Sequence, residues 1–207
     1  MSFDFGELQW VEAKDNPFEM RCLDVRDYCW HAQSLTNDPL IAQKFVELRN
    51  STGEQLRGQS PDNSVKLACQ LKYDSKRRIF DETARGPILM AEVMEDKWDI
   101  FLYDNFLYFA RSWGGELIYK AQVNITAETT IIDEIEVESR LVEEGDEEVL
   151  CDVDFLVKSH LYNLPMPHRI QKGIPESDKQ LITIYSFTSF GRWASFATYE
   201  DTTRLQI

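Results

Sequence analysis

The segment from Lys97 to Ser139 constrains the fold most, because strand-length apolar runs alternate there with turn signals. KWDIFLY runs into Asp104–Asn105, a pair that tolerates the positive φ of a two-residue hairpin. FLYFARSW returns and reaches Gly114–Gly115, a second hairpin signal. ELIYKAQVNI gives a third strand and, after Thr126–Ala127–Glu128, TTIIDEIEVES gives a fourth. In the fourth, Ile131, Asp133, Ile135 and Val137 share one parity, and Ile132, Glu134, Glu136 and Glu138 the other. That predicts one largely buried face and one wet face, as in an antiparallel meander.

Two segments read as helices. Asn37 or Asp38 caps the first, Pro39 suits its first position, Ile41, Phe45 and Leu48 form its apolar stripe, and Gly53 stops it. Asp152 caps the second, where Val153, Leu156, Val157, His160, Leu161 and Leu164 share a face and LPMPH ends the run. Phe18–Trp30, VKLACQLKY (Val65–Tyr73) and two closing segments, LITIYSF and RWASFATY, read as further strands. DSKRR (Asp74–Arg78) reads as an exposed basic loop. The expectation is a single α+β domain over 1–207, an antiparallel β-meander sheet with two main helices packed on one face. A split near residue 90 is the lesser alternative.

With 43% apolar residues, a chain of 207 residues has enough material to bury about 70% of its unfolded surface. Its net charge of −14 argues against nucleic acid and anionic membranes, whose phosphates it would repel. The charge is local. Between Glu128 and Asp154 twelve acids face one base, Arg140, a net −11. Glu136, Glu138, Glu143, Glu144, Asp146, Glu147 and Glu148 therefore make a candidate surface for a basic protein partner, as in an inhibitor or immunity protein. The bland reading is a solvated strand face and loop that keep the protein soluble. MSFDFGELQWVEAKD lacks the pattern of a secretory signal, and no apolar run approaches the ~20 residues of a membrane span. Cys22, Cys29, Cys69 and Cys151 form no CxxC pair and read as reduced, buried thiols of a cytoplasmic protein, with a Cys22–Cys29 bridge as the rival.

Chemistry-bearing residues are few. Arg111, Ser112 and Trp113, before Gly114–Gly115 and with Trp98 nearby, place a guanidinium beside indoles where an anionic or aromatic small ligand could sit. The bland reading is cross-strand aromatic packing. His160 lies on the apolar face of the second helix and reads as a core histidine, while His168 follows two prolines and reads as exposed; an enzyme using either is the third hypothesis. Cys151, His160 and His168 have no ordinary zinc spacing, and no phosphate-binding glycine loop occurs, so neither metal nor cofactor is expected. Hence the leading expectation is a non-catalytic interaction protein.

The run WDIFLYDNFLYFARSWGGELIYKA, with its pattern YFxRSWxGxxxY, resembles a hairpin pair of an uncharacterised bacterial family of unknown function. VDFLVKSHLYNLPMPH and ASFATYEDTTRL resemble parts of the same family. The resemblance spans about half the chain and implies a bacterial origin. It brings no activity, cofactor or functional residue with it.

Overall fold

The computed structural model describes residues 7–74, 84–143 and 145–206, so Glu144 and the basic residues after Asp74 in DSKRR lie outside the described residues. The meander forms as its turns dictate. β5 (Trp98–Tyr103) and β6 (Phe106–Arg111) meet at Asp104 and Asn105, both at positive φ (50° and 63°). β7 (Leu117–Ile125) and β8 (Thr129–Glu138) continue it. β3 (Ser64–Asp74) pairs with β8 and β4 (Gly86–Leu89) with β5, completing an antiparallel six-stranded sheet in the order β3-β8-β7-β6-β5-β4. The chain is an α+β fold.

A bulge corrects the simple parity of β8. Gln122 pairs with Glu134 and Val123 with Ile132, so Asp133 is an extra residue opposite β7. Ile132 thereby joins Ile135 and Val137 in the core, all three with no exposed surface, and Asp133 is left in solvent. One inserted residue is enough, because side chains alternate with a period of two.

Each face of the sheet has its own cover. Ile100, Leu107, Phe109, Ala121 and Ile135 pack with Val153 and Phe155 of α3 (Asp146–Phe155) and Ile182 and Phe190 of α4 (Lys179–Phe190). Phe101, Tyr103, Tyr108 and Ala110 point the other way and meet Leu56 and Met90. The chain reaches that face after α2 (Pro39–Arg49), which is capped as expected: the Asp38 carboxylate accepts from the Leu40 amide. Gly53, at φ 74°, lies so close to the Phe101 ring that a Cβ would stand 2.2 Å from it. A second, mixed sheet runs β1 (Trp10–Val11), β2 (Cys22–Asp24), β10 (Phe196–Thr198), β9 (Pro167–Arg169), with β10 and β9 parallel.

Three further expectations are corrected. Phe18–Trp30 is strand only at β2 and then turns into α1 (Arg26–His31). The second helix starts at Asp146, six residues before the expected cap, because Asp146, Glu147 and Glu148 in its first turn suit the positive end of the helix dipole. It runs on as a π-helical stretch, Leu156–Leu161, where the Tyr162 amide reaches back to the Val157 carbonyl at 3.0 Å. LITIYSF is not a strand but lies in α4. The Asp178 carboxylate caps the Leu181 amide, and Ile182, Thr183, Ser186, Phe187 and Phe190 bury one helical face. Its β-branched content suggested a strand, yet the buried set repeats at 3.6 and not at 2.

All four cysteines are free; Cys22, Cys29 and Cys151 are buried and Cys69 half-buried, with burial raising each thiol's pKa. Among the described residues no helix is long and apolar enough to cross a membrane.

Candidate functional site

Arg111 ends β6, at the place where the sheet meets the C-terminal end of α4. The Ser189 carbonyl in the last turn of α4 accepts from both Arg111 Nη1 and Trp98 Nε1, each at 2.8 Å. The guanidinium lies 4.2 Å from the centre of the Trp98 ring. The helix carbonyl and the indole hold it in place, but no carboxylate comes within ion-pair distance among the described residues. Burial lowers its pKa, against the pull of Tyr119 and Asp152.

Two cavities share Arg111 and Glu116 as a common wall. The first is an apolar cleft of about 720 Å³ lined by Trp113, Phe187, Ile184, Leu35 and Lys97. Its floor is rigid. Trp113 Nε1 donates to the Met94 carbonyl at 2.8 Å, and the buried Ser112 hydroxyl donates to the Asp96 carbonyl at 2.6 Å. Asp96 in turn accepts from the Glu92 amide and from Trp193 Nε1, and pairs with Arg192 Nε at 2.6 Å. Gly191 lets α4 pass this loop: at φ 70°, a Cβ there would fall 2.0 Å from the Glu95 carbonyl oxygen.

The second cavity, of about 390 Å³, is polar, with Tyr119, Asp152, Tyr185, Arg140 and Arg169 in its wall. Tyr119 donates to Asp152 Oδ2 at 3.0 Å. Burial raises the Asp152 pKa to about 7, although Tyr119 and Arg111 both favour its charged form.

Of the residues singled out from sequence, Arg111 and Trp113 line the apolar cleft. Ser112 and Trp98 are buried beneath it as supports. The described acidic residues differ in burial and in partners. Glu136 lies on the face of Tyr108, nearly buried, accepting from the Ser60 hydroxyl at 2.5 Å and from Lys120 Nζ at 3.1 Å. Burial would raise its pKa, but Ser60 and Lys120 together hold it below the usual carboxylate range. Glu138 pairs with Arg140 at 2.6 Å. Glu147 pairs with Arg169, and Glu148 accepts from the Lys172 amide. Glu143 and Asp146 remain exposed.

The histidines pack rather than line a cleft. His160 Nδ1 lies 2.7 Å from Ser159 Oγ, and its Nε2 makes no hydrogen bond within 3.5 Å among the described residues; burial pushes its pKa down to about 3. His168, expected to be exposed, is fully buried because β9 carries it into the second sheet against Phe155 and Phe190. Its Nδ1 faces the Arg169 carbonyl at 3.0 Å and its Nε2 the Ser186 hydroxyl at 2.9 Å; burial lowers its pKa to about 4. A carbonyl accepts only from N–H, so the neutral ring carries its proton on Nδ1. Neither histidine lines the two cavities, and both hydroxyls are buried.

The sequence reading missed Lys97, Asp152 and Tyr185 as members of the site. Lys97 stands next to Trp98, and a lone base flanking an aromatic strand was the available signal. Asp152 looked like a helix cap, and Tyr185 was hidden by the strand reading of α4. Comparison with protein-family models, curated proteins and solved structures found no match.

Proposed function

We propose that this chain binds a small aromatic carboxylate in the apolar cleft, the ring against Trp113 and the acid on Arg111. The observation that carries the reading is a partly buried guanidinium on the wall of an apolar cleft, with no carboxylate within ion-pair distance among the described residues. A buried cation normally has a counter-ion. A carboxylate ligand would complete the arrangement, since Arg111 is already oriented by Trp98 and the Ser189 carbonyl. Glu116, in the same wall, opposes a second negative charge on the ligand and so favours a monoanion.

Calorimetric titration with benzoate, phenylacetate and indole-3-acetate tests the reading against acetate and toluene-type neutral analogues. Binding of the aromatic acids alone is expected, weakened by Arg111→Gln roughly tenfold to a hundredfold, the loss of one hydrogen bond to a charged group. Equal binding of neutral analogues, or no binding by any acid, refutes it.

A second reading rests on exposed Glu143 and Asp146 beside Glu147 at the start of α3: a basic protein partner docking there. A pull-down that recovers the same partners after all three become Ser would end it.

A further inference from the structure

Lys97 is the second cation of the cleft, and its surroundings differ from those of a surface lysine. Its Nζ sits 4.7 Å from the centre of the Trp113 ring and 4.8 Å from that of Phe187. It contacts Ser34 Oγ at 2.6 Å and the Met94 carbonyl at 2.9 Å, and no carboxylate lies within ion-pair distance among the described residues. Of the acids beside it in sequence, Asp96 is engaged by Arg192 and Trp193, and Glu95 is turned to the Ser34 amide at 2.7 Å. The side chain is partly exposed and lines the cleft. We propose that Lys97 is a nucleophilic amine that condenses with the carbonyl group of an aromatic ligand held by Arg111, forming an imine. This rests on the binding reading above and names the substrate class as a carbonyl-bearing aromatic acid.

The contacts suit both protonation states. The Met94 carbonyl accepts an N–H from either ammonium or amine, and the Ser34 hydroxyl accepts from the first and donates to the lone pair of the second. The charged groups around Nζ pull in opposite directions. Burial and the Arg111 charge favour the neutral amine, Glu95 and Asp96 the ammonium, and the net is a pKa lowered to about 8. Trp113 and Phe187 add cation–π attraction for the ammonium, while their rings exclude water from it. An amine beside another cation in an apolar pocket is a recognised route to an activated lysine. At pH 7.5 its neutral fraction is roughly a hundredfold or more that of an ordinary lysine.

The step balances without an oxidant or reductant. After the ammonium has released one proton to solvent, the nitrogen lone pair attacks the carbonyl carbon. The C=O π electrons move to oxygen, and the nitrogen proton follows them to give a carbinolamine. The C–O bond then breaks, the nitrogen gives up its second proton, and one water leaves as C=N forms.

Reductive trapping tests this on the whole chain. The protein is incubated with 4-formylbenzoate and cyanoborohydride and mapped by peptide mass spectrometry, with benzaldehyde as the uncharged control. The expected result is one adduct on the Lys97 peptide, formed at least ~10-fold faster than on Lys14, Lys44 or Lys172. Its rate should rise through pH 8, fall with benzaldehyde and with Arg111→Gln, and be suppressed by excess benzoate. Lys97→Met should abolish it; because that variant risks misfolding, the wild-type pH profile and benzoate protection stand as independent readouts. Labelling spread evenly over the lysines overturns the inference. If 4-formylbenzoate binds calorimetrically but Lys97 is not trapped, the amine role falls and the binding reading stands. If it neither binds nor reacts, both fall.

Discussion

The acid-rich segment from β8 into α3 and the cation-bearing wall of the cleft handle charge in opposite ways. On β8 the acids are numerous, yet most are answered. Glu134 pairs with Lys66 at 2.7 Å, Glu136 with Lys120, Glu138 with Arg140, and in α3 Asp154 with Lys158. At the cleft there are two cations, Arg111 and Lys97, held by carbonyls, a hydroxyl and aromatic rings instead of carboxylates. Net charge therefore says little about where a ligand would be recognised. An answered charge is part of the scaffold, and an unanswered, partly buried one is available.

The largest effect expected from breaking this contrast is at Asp154. Its carboxylate meets Lys158 Nζ at 2.5 Å and the Tyr73 hydroxyl at 3.1 Å, and both charged side chains are only 3% exposed. Asp154→Ala would leave the Lys158 ammonium buried with, among the described residues, the Leu205 carbonyl alone, at a cost of about 3–5 kcal/mol in chemical denaturation. Lys158→Met with Asp154→Leu should recover much of that loss, since no charge is then stranded.

Next is the pH dependence set by Asp152. Its folded-state pKa, about 7, lies above the unfolded value of about 3.9. Between these values the folded protein holds a proton that the unfolded chain has lost, so this group's contribution to stability falls as pH rises from about 4 to 7. His160 and His168 act oppositely. Their folded pKa values of about 3 and 4 lie below the usual 6.5, so their contribution is present above 6.5 and lost as pH falls. The clean measurement is the difference between wild type and Asp152→Asn: the variant's relative stability should climb from pH 4 to pH 7 and level off above it. A difference independent of pH would remove Asp152 from the titrating groups.

The same contrast explains what was legible beforehand. Asp104–Asn105, Pro39 and Asp38 act through local geometry, so the meander and the first helix could be read from neighbours in sequence. Arg111 and Trp113 were noticed because they flank a glycine turn. The remaining features depend on long-range contacts. Asp133 is a bulge only relative to Gln122 and Val123, and His168 is buried only because β9 pairs with β10. Lys97 has no carboxylate partner among the described residues because Asp96 is engaged by Arg192 and Glu95 faces Ser34, sixty-one positions away from it along the chain. No window of ten residues contains such information. The same holds for the −11 segment, since Lys66 and Lys120, which answer its strand half, lie outside it.

The smallest effects should come from the two halves of that acidic segment. Glu136→Gln removes the partner of Lys120, whose side chain is only 10% exposed and whose ammonium lies 4.7 Å from the Phe106 ring centre. Lys120 keeps the Ser60 hydroxyl at 3.4 Å, so a loss of about 1–3 kcal/mol is expected. Glu143→Gln, on an exposed side chain with no ion pair among those described, should stay within about 0.5 kcal/mol. Asp146→Asn lies between: it removes a charge from the first turn of α3, an interaction of about 0.3–1 kcal/mol that salt should erase. Thermal melts at low and high salt separate the three, because only the Asp146→Asn difference should vanish at high ionic strength. If Glu136→Gln were as mild as Glu143→Gln, the strand acids would not be part of the scaffold, and a charged docking surface running from β8 into α3 would regain its footing.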